Sequence, residues 1–150
     1  MDRTVTAPFD GVVTRWQVHG AGGPIRLIVA RGEVRPRGRS NLVRVQGSDE
    51  EIVRSEGRQR FRTRLEIRKG DVVGLQFSIR AYGDAPYSQG TWLETWIPPL
   101  TSVPQLSQQG SAHNYELLYN ASIEPDTDGD GFGDVTQDNC PRDPVRQEGC

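Results

Sequence analysis

Short runs rich in β-branched and aromatic residues recur along residues 1–123, with Gly, Pro, Asn and Asp between them. They fall at 11–19 (GVVTRWQVH), 24–30 (PIRLIVA), 41–46 (NLVRVQ), 58–68 (RQRFRTRLEIR), 71–80 (DVVGLQFSIR), 91–97 (TWLETWI) and 113–123 (HNYELLYNASI). No window holds a helical period through three turns, so each run is predicted as a strand. The alternation is clearest in 58–68. There Phe61, Thr63, Leu65 and Ile67 share one face, and Arg58, Arg60, Arg62, Arg64, Glu66 and Arg68 share the other. A strand with this pattern has one buried and one solvated face. Lys69-Gly70-Asp71 reads as a turn into the next strand, whose inward set is Val73, Leu75, Phe77 and Ile79. Gly20-Ala21-Gly22-Gly23 reads as a flexible connection, and Asp49-Glu50-Glu51 as a charged loop. Seven or eight short strands separated by turn signals predict an all-β chain. Its expected fold is an antiparallel β-sandwich, of either jelly-roll or immunoglobulin-like type.

Beyond residue 123 this pattern stops. Residues 124–150 carry few apolar side chains and are expected to form an irregular tail after a 1–123 sandwich domain. With 150 residues, 34% of them hydrophobic, the chain can bury one core and not two. Charge divides along the same line. From Asn120 to Cys150 there are eight acidic residues and two arginines, against twelve acidic and sixteen basic residues before them. Segments of opposite sign could attract each other within one molecule or between neighbours. No run approaches eighteen apolar residues, so no membrane span is expected. Met1-Asp2-Arg3-Thr4 leads on without an apolar signal-peptide core, and the chain is expected to be a mature or recombinant form.

The tail holds the candidate chemistry. Asp126-Thr127-Asp128-Gly129-Asp130-Gly131-Phe132-Gly133-Asp134 sets carboxylates at alternate positions. A calcium ion takes six to eight oxygen ligands. A loop supplies them from positions 1, 3, 5, 7 through its backbone carbonyl, and 9, with a glycine at 6 for the sharp turn. Counted from Asp126, aspartates occupy 1, 3, 5 and 9, Gly131 is at 6, and Phe132 is at 7. Without a cation, so many neighbouring carboxylates would repel one another. The expected metal set is Asp126, Asp128, Asp130, the Phe132 carbonyl, Asp134 and Asp138, binding Ca²⁺. An EF-hand would place a bidentate Glu at position 12, where this chain has Gln137, and Asp138 follows one residue later. The closing ligand is therefore either Gln137 or Asp138. No amphipathic helix flanks the loop, and Pro125, Pro141 and Pro144 surround it.

Together with Asp138-Asn139-Cys140-Pro141, this segment resembles the thrombospondin type 3 repeat, whose pattern runs D-x-D-x-D-G-x-x-D and closes on D-N-C-P. The chain departs from it in having one copy, no cysteine just after the fourth aspartate, and one extra residue before the closing motif. The resemblance implies a calcium-wrapped segment with little regular secondary structure, held by disulfides. Both cysteines of the chain, Cys140 and Cys150, lie here. They are expected to be oxidised, either to each other or to another chain, in an oxidising compartment. Pro8-Phe9-Asp10-Gly11-Val12-Val13-Thr14-Arg15-Trp16 and Gly70-Asp71-Val72-Val73-Gly74-Leu75 resemble secreted bacterial β-domains, mainly actinobacterial, that precede such a segment. This implies a secreted or surface-exposed protein and carries no activity with it.

The β-domain offers weaker signals. Trp92 and Trp96, four apart on an expected strand, would share a face. That face is either a stacking platform for a sugar, with Tyr82 and Tyr87 close in sequence, or part of the core. Arg60, Arg62 and Arg64 either grip an acidic glycan or line a solvated strand face. Asn120-Ala121-Ser122 fits a glycosylation sequon. His19 and His113 are the only histidines, and neither H-E-x-x-H nor G-x-S-x-G occurs, so no enzyme is expected. The sequence thus points to an extracellular calcium-binding structural or adhesive protein. Its tail would join the β-domain to a following domain, to a neighbouring subunit in a filament, or to a cell-surface component. The alternative is a secreted glycan-binding module with structural calcium. Nucleic acid is not an expected partner.

Overall fold

The computed structural model describes residues 6–54, 57–77, 84–108 and 110–150, and along 84–92 and 111–116 it describes the backbone alone. Among the described residues ten strands follow one another: β1 (Gly11–His19), β2 (Gly23–Glu33), β3 (Asn41–Gly47), β4 (Glu51–Val53), β5 (Arg58–Ile67), β6 (Val72–Phe77), β7 (Asp84–Leu93), β8 (Gln105–Leu106), β9 (Ser111–Leu117) and β10 (Tyr119–Pro125). No helix occurs among the described residues. Two antiparallel sheets pack together in a β-sandwich. One has the order β10-β1-β5. The other is built around β2, with β6 on one side and β4 and β3 along the other, and β8 beyond β3. β7 and β9 form a separate two-stranded ladder.

The core lies between the two main sheets. Val13, Trp16 and Val18 from β1 and Leu65 and Ile67 from β5 meet Ile25, Leu27 and Val29 from β2, and Val53 from β4. Phe61, Val73, Leu75, Phe77, Tyr119, Ala121 and Ile123 pack around them. The expected faces of β5 are formed: arginines and Glu66 point to solvent, and Leu65 and Ile67 are buried. β2 reads as a nearly continuous apolar run because both of its faces are covered. Ile28 and Ala30 on its outer side join Leu42 and Leu100 in a second cluster, closed by Val34, Val72 and Trp96.

The apolar positions of β1 change parity, from Val13 to Trp16 and Val18. A register shift between Val13 and Arg15 accommodates the change in the pairings with both β10 and β5. Such a bulge re-aims the side chains beyond it. Trp16 then faces the core opposite Phe61, with ring centroids 4.7 Å apart. Val12 and Thr14, on the sheet's outer side, are nevertheless buried, at 0% and 3% exposure.

At the turn before β6, Asp71 is 2% exposed and takes both forks of Arg31 at 2.7 Å, and the Arg68 amide at 2.9 Å. Burial alone would push this carboxyl up, but the Arg31 and Arg68 bonds outweigh it and hold it below the usual range.

Several expected boundaries are corrected. The run 91–97 is not one strand. β7 spans Asp84–Leu93, and the chain leaves the ladder before Pro98 and Pro99, which have no amide hydrogens to give a sheet. Trp92 and Trp96 therefore do not share a strand face. The run 113–123 breaks at Leu118, with β9 and β10 in different sheets. Glu51 opens β4 and is not loop. Ile79 and Tyr82 lie outside the described residues, as do the side chains of Tyr87, Trp92 and His113.

Candidate metal centre

After Pro125 ends β10, the chain curls through turns and bends with no further strand. Aspartates and glycines make this conformation accessible. Gly129 and Gly131 take φ of 77° and 84°, a region costly for residues with a Cβ. Asp126 shapes the loop by accepting the amides of Gly129 at 2.9 Å, Asp130 at 3.1 Å and Gly131 at 3.0 Å. Asp130 accepts the Phe132 amide at 2.8 Å on Oδ1. These bonds turn the carboxylates of Asp126, Asp128 and Asp130 inward until one oxygen of each lies within 4.8 Å of the others, a cluster that could hold a metal ion.

Two oxygens here are buried without a hydrogen-bond partner: Oδ2 of Asp128 and Oδ2 of Asp138. Asp138 is only 3% exposed, and its Oδ1 accepts the Cys140 amide at 2.7 Å. A buried carboxylate oxygen left unpaired is costly, and a cation is the partner that satisfies it best. Desolvation, then the like charges of Asp130, Asp138 and Asp126, raise the Asp128 carboxyl above its ordinary value. Asp138 lies outside the three-carboxylate group, though its charge adds to the shift on Asp128.

The other expected ligands have different surroundings. Asp134 is outside the three-carboxylate group, and both its oxygens take donors from Thr127, the amide at 3.0 Å and the hydroxyl. Gln137 faces the sandwich instead: its Nε2 donates to the Thr63 carbonyl at 2.9 Å, and its Oε1 accepts the Gly133 amide at 3.2 Å. That leaves Asp138 as the residue with an oxygen to spare. Phe132 lies with its ring under the Arg64 guanidinium, 4.1 Å from the centroid.

Cys140 and Cys150 form a disulfide within the chain, with Cα atoms 5.7 Å apart. The loop it closes returns to the cluster. Gln147 Nε2 donates to Asp130 Oδ2 at 2.8 Å, and the Gln147 carbonyl accepts the Asn139 amide at 2.9 Å.

A residue absent from the expected set ties the loop to the sandwich. Glu124, on β10 and 7% exposed, accepts the Thr14 hydroxyl at 2.9 Å, the Thr136 hydroxyl at 2.7 Å, and the amides of Thr136 at 2.8 Å and Val135 at 3.1 Å. Burial pushes its carboxyl up, but these four bonds override it and the net shift is downward. Gly133 passes so close that a Cβ there would meet Glu124 Oε2 and Thr14 Cγ2, each at 2.6 Å. The tail therefore covers the outer face of the β10-β1-β5 sheet around Val12 and Thr14. The parity break in β1 was the only sequence signal that Thr14 was special.

Of the proposed glycan residues, Trp96 packs in the second cluster and donates its indole N–H to the Gln105 carbonyl at 3.0 Å. Arg60 and Arg62 are exposed on β5, with Arg60 3.3 Å from Gln17 Oε1. Arg64 belongs to the tail contact. No helix among the described residues is long and apolar enough to cross a membrane. In comparisons with known proteins, no family model matches this chain, and neither does any curated protein or solved structure.

Proposed function

We propose that this chain is an extracellular calcium-binding structural or adhesive protein in which the cation locks the tail against the β-sandwich. The observation that carries the reading is the buried, unpartnered oxygen of Asp128 within the Asp126–Asp128–Asp130 cluster, with a second such oxygen on Asp138. An all-oxygen donor set on an irregular, glycine-bearing loop suits calcium, which tolerates flexible geometry. Magnesium demands a near-ideal octahedron and keeps most of its water. The D-x-D-x-D-G spacing and the D-N-C-P ending of the thrombospondin type 3 resemblance support the same ion. The disulfide fits an oxidising compartment, where calcium is plentiful. With its tail fixed, residues 139–150 present one defined surface to a following domain or a neighbouring subunit.

Calorimetric titration with calcium tests the reading, together with particle size measured with and without the ion. We expect Kd of roughly 10⁻⁴ to 10⁻³ M, in the range of extracellular modules. Asp138→Asn should weaken binding about tenfold or more, because an amide oxygen replaces a full charge. No heat and no change in melting temperature up to several times that calcium concentration would sink the proposal. The alternative platform of Trp92 and Trp96 draws no support from Trp96, whose ring is engaged in the second cluster.

A further inference from the structure

The tail covers only part of the outer face of the β10-β1-β5 sheet. Past the bulge, the same face carries Arg15, Gln17 and His19 from β1, Arg58, Arg60 and Arg62 from β5, and Asn120 and Ser122 from β10. Arg15 stands directly opposite Arg62 on one side and Ser122 on the other. Gln17 stands between Arg60 and Asn120, and His19 opposite Arg58. All four arginines are exposed, and among the described residues none is within ion-pair distance of a carboxylate. Like charges directly opposite each other across a ladder are destabilising. Between them lies a cavity of ≈ 250 Å³ lined by Arg15, Trp16, Gln17, Arg60, Asn120 and Ser122.

We propose that this face binds a linear anionic polysaccharide bearing carboxylate or sulfate groups. Four guanidiniums with no carboxylate partner among the described residues set the sign of the partner. Their planar forks match the paired oxygens of carboxylates and sulfates better than ammonium groups would. Gln17, Asn120 and Ser122 add neutral donors and acceptors suited to sugar hydroxyls. Arg58 to Arg62 spans about 13 Å of strand, and three strands span about 10 Å, so the patch accommodates a polymer segment and not just one ion. No aromatic side chain is exposed on the described part of this face to stack unpaired bases, which disfavours single-stranded nucleic acid. The disulfide fits a compartment where anionic polysaccharides are the common linear polyanions. The site differs from the arginine set expected from sequence: Arg15 and Arg58 join it, and Arg64 leaves it for Phe132.

The test is retention of the whole chain on immobilised polygalacturonate and dextran sulfate, with neutral dextran and double-stranded DNA as comparison columns. Each column is run with and without calcium in solution. The wild type should be retained on the two acidic polysaccharides and not on dextran, and should elute as salt rises. The triple variant Arg15→Gln/Arg60→Gln/Arg62→Gln should bind about tenfold more weakly or worse, with a melting temperature equal to or above the wild type's. Arg64→Gln should be retained like the wild type, and so should the wild type stripped of calcium with EGTA, because no metal ligand lies on this patch. Failure of the calcium reading would leave these results unchanged. The proposal is overturned by passage of the wild type through both acidic columns, by unchanged elution of the triple variant, or by tighter retention on DNA than on either polysaccharide.

Discussion

The Glu124 carboxylate alone gathers four donors, from Thr14, 110 positions away, and from Val135 and Thr136. Glu124→Gln keeps the size but turns an amide NH₂ towards these donors, leaving at least one buried donor unmatched. We expect a loss of about 2 kcal/mol and a melting temperature lower by several degrees. The same residue sets a pH dependence. Its folded pKa lies below its ordinary value of 4.5. Its contribution is therefore complete above about pH 5 and is lost as pH falls below 4.5 through the depressed folded value. Melting temperatures of wild type and Glu124→Gln should draw together as pH falls below 4.5. A gap that stays constant over that range would show that the Glu124 charge contributes nothing to docking the tail.

Among the elements, the two halves of the tail loop use glycine for different reasons. Gly131 has φ of 84° and open space around its missing Cβ, so Gly131→Ala strains only the backbone, by about 1 to 2 kcal/mol, and should mainly weaken calcium binding. Gly133 has no such φ but is pressed against Glu124 and Thr14. Gly133→Ala should cost about 2 kcal/mol and expose the tail to limited proteolysis even with calcium present. Equal protease resistance of Gly133→Ala and wild type would refute the tail's close seating on the sheet. The contrast also marks what the sequence made legible. Arg58 to Ile67 alternates without interruption because one face is core and the other water, so its strand and faces can be read directly. The Asp126–Asp134 spacing likewise follows from the geometry of a local loop. Glu124 carries no local pattern, and neither the parity break at Thr14 nor the loop position of Gln137 names a partner, because the partners are set by how β1, β5 and β10 pair. The strand expected at Trp96 fails because its segment has strand-like composition but packs over Leu42 and Leu100, where the ring takes the core position that was the alternative to a sugar platform.

For the molecule as a whole, the bonds from Glu124, the Gln137 amide on Thr63 and the Phe132–Arg64 stack make the tail a layer of the sandwich. The disulfide extends this connection: Gln147 reaches Asp130, and the Cys140 amide reaches Asp138. Removing the disulfide should therefore loosen the metal site as well as release the chain end. By loop entropy it contributes about 3 kcal/mol, and a Cys140→Ser/Cys150→Ser variant should also bind calcium more weakly. A tail folded independently would melt in its own transition. A tail that is part of the sandwich makes calcium stabilise the whole structure, by about 1.4 kcal/mol at ten times Kd. Scanning calorimetry should then show one transition that rises by several degrees with calcium and falls with EGTA. A main transition unmoved by calcium, with a separate small transition that responds to it, would show that the contacts of Glu124, Gln137 and Phe132 do not couple the tail to the β-sandwich.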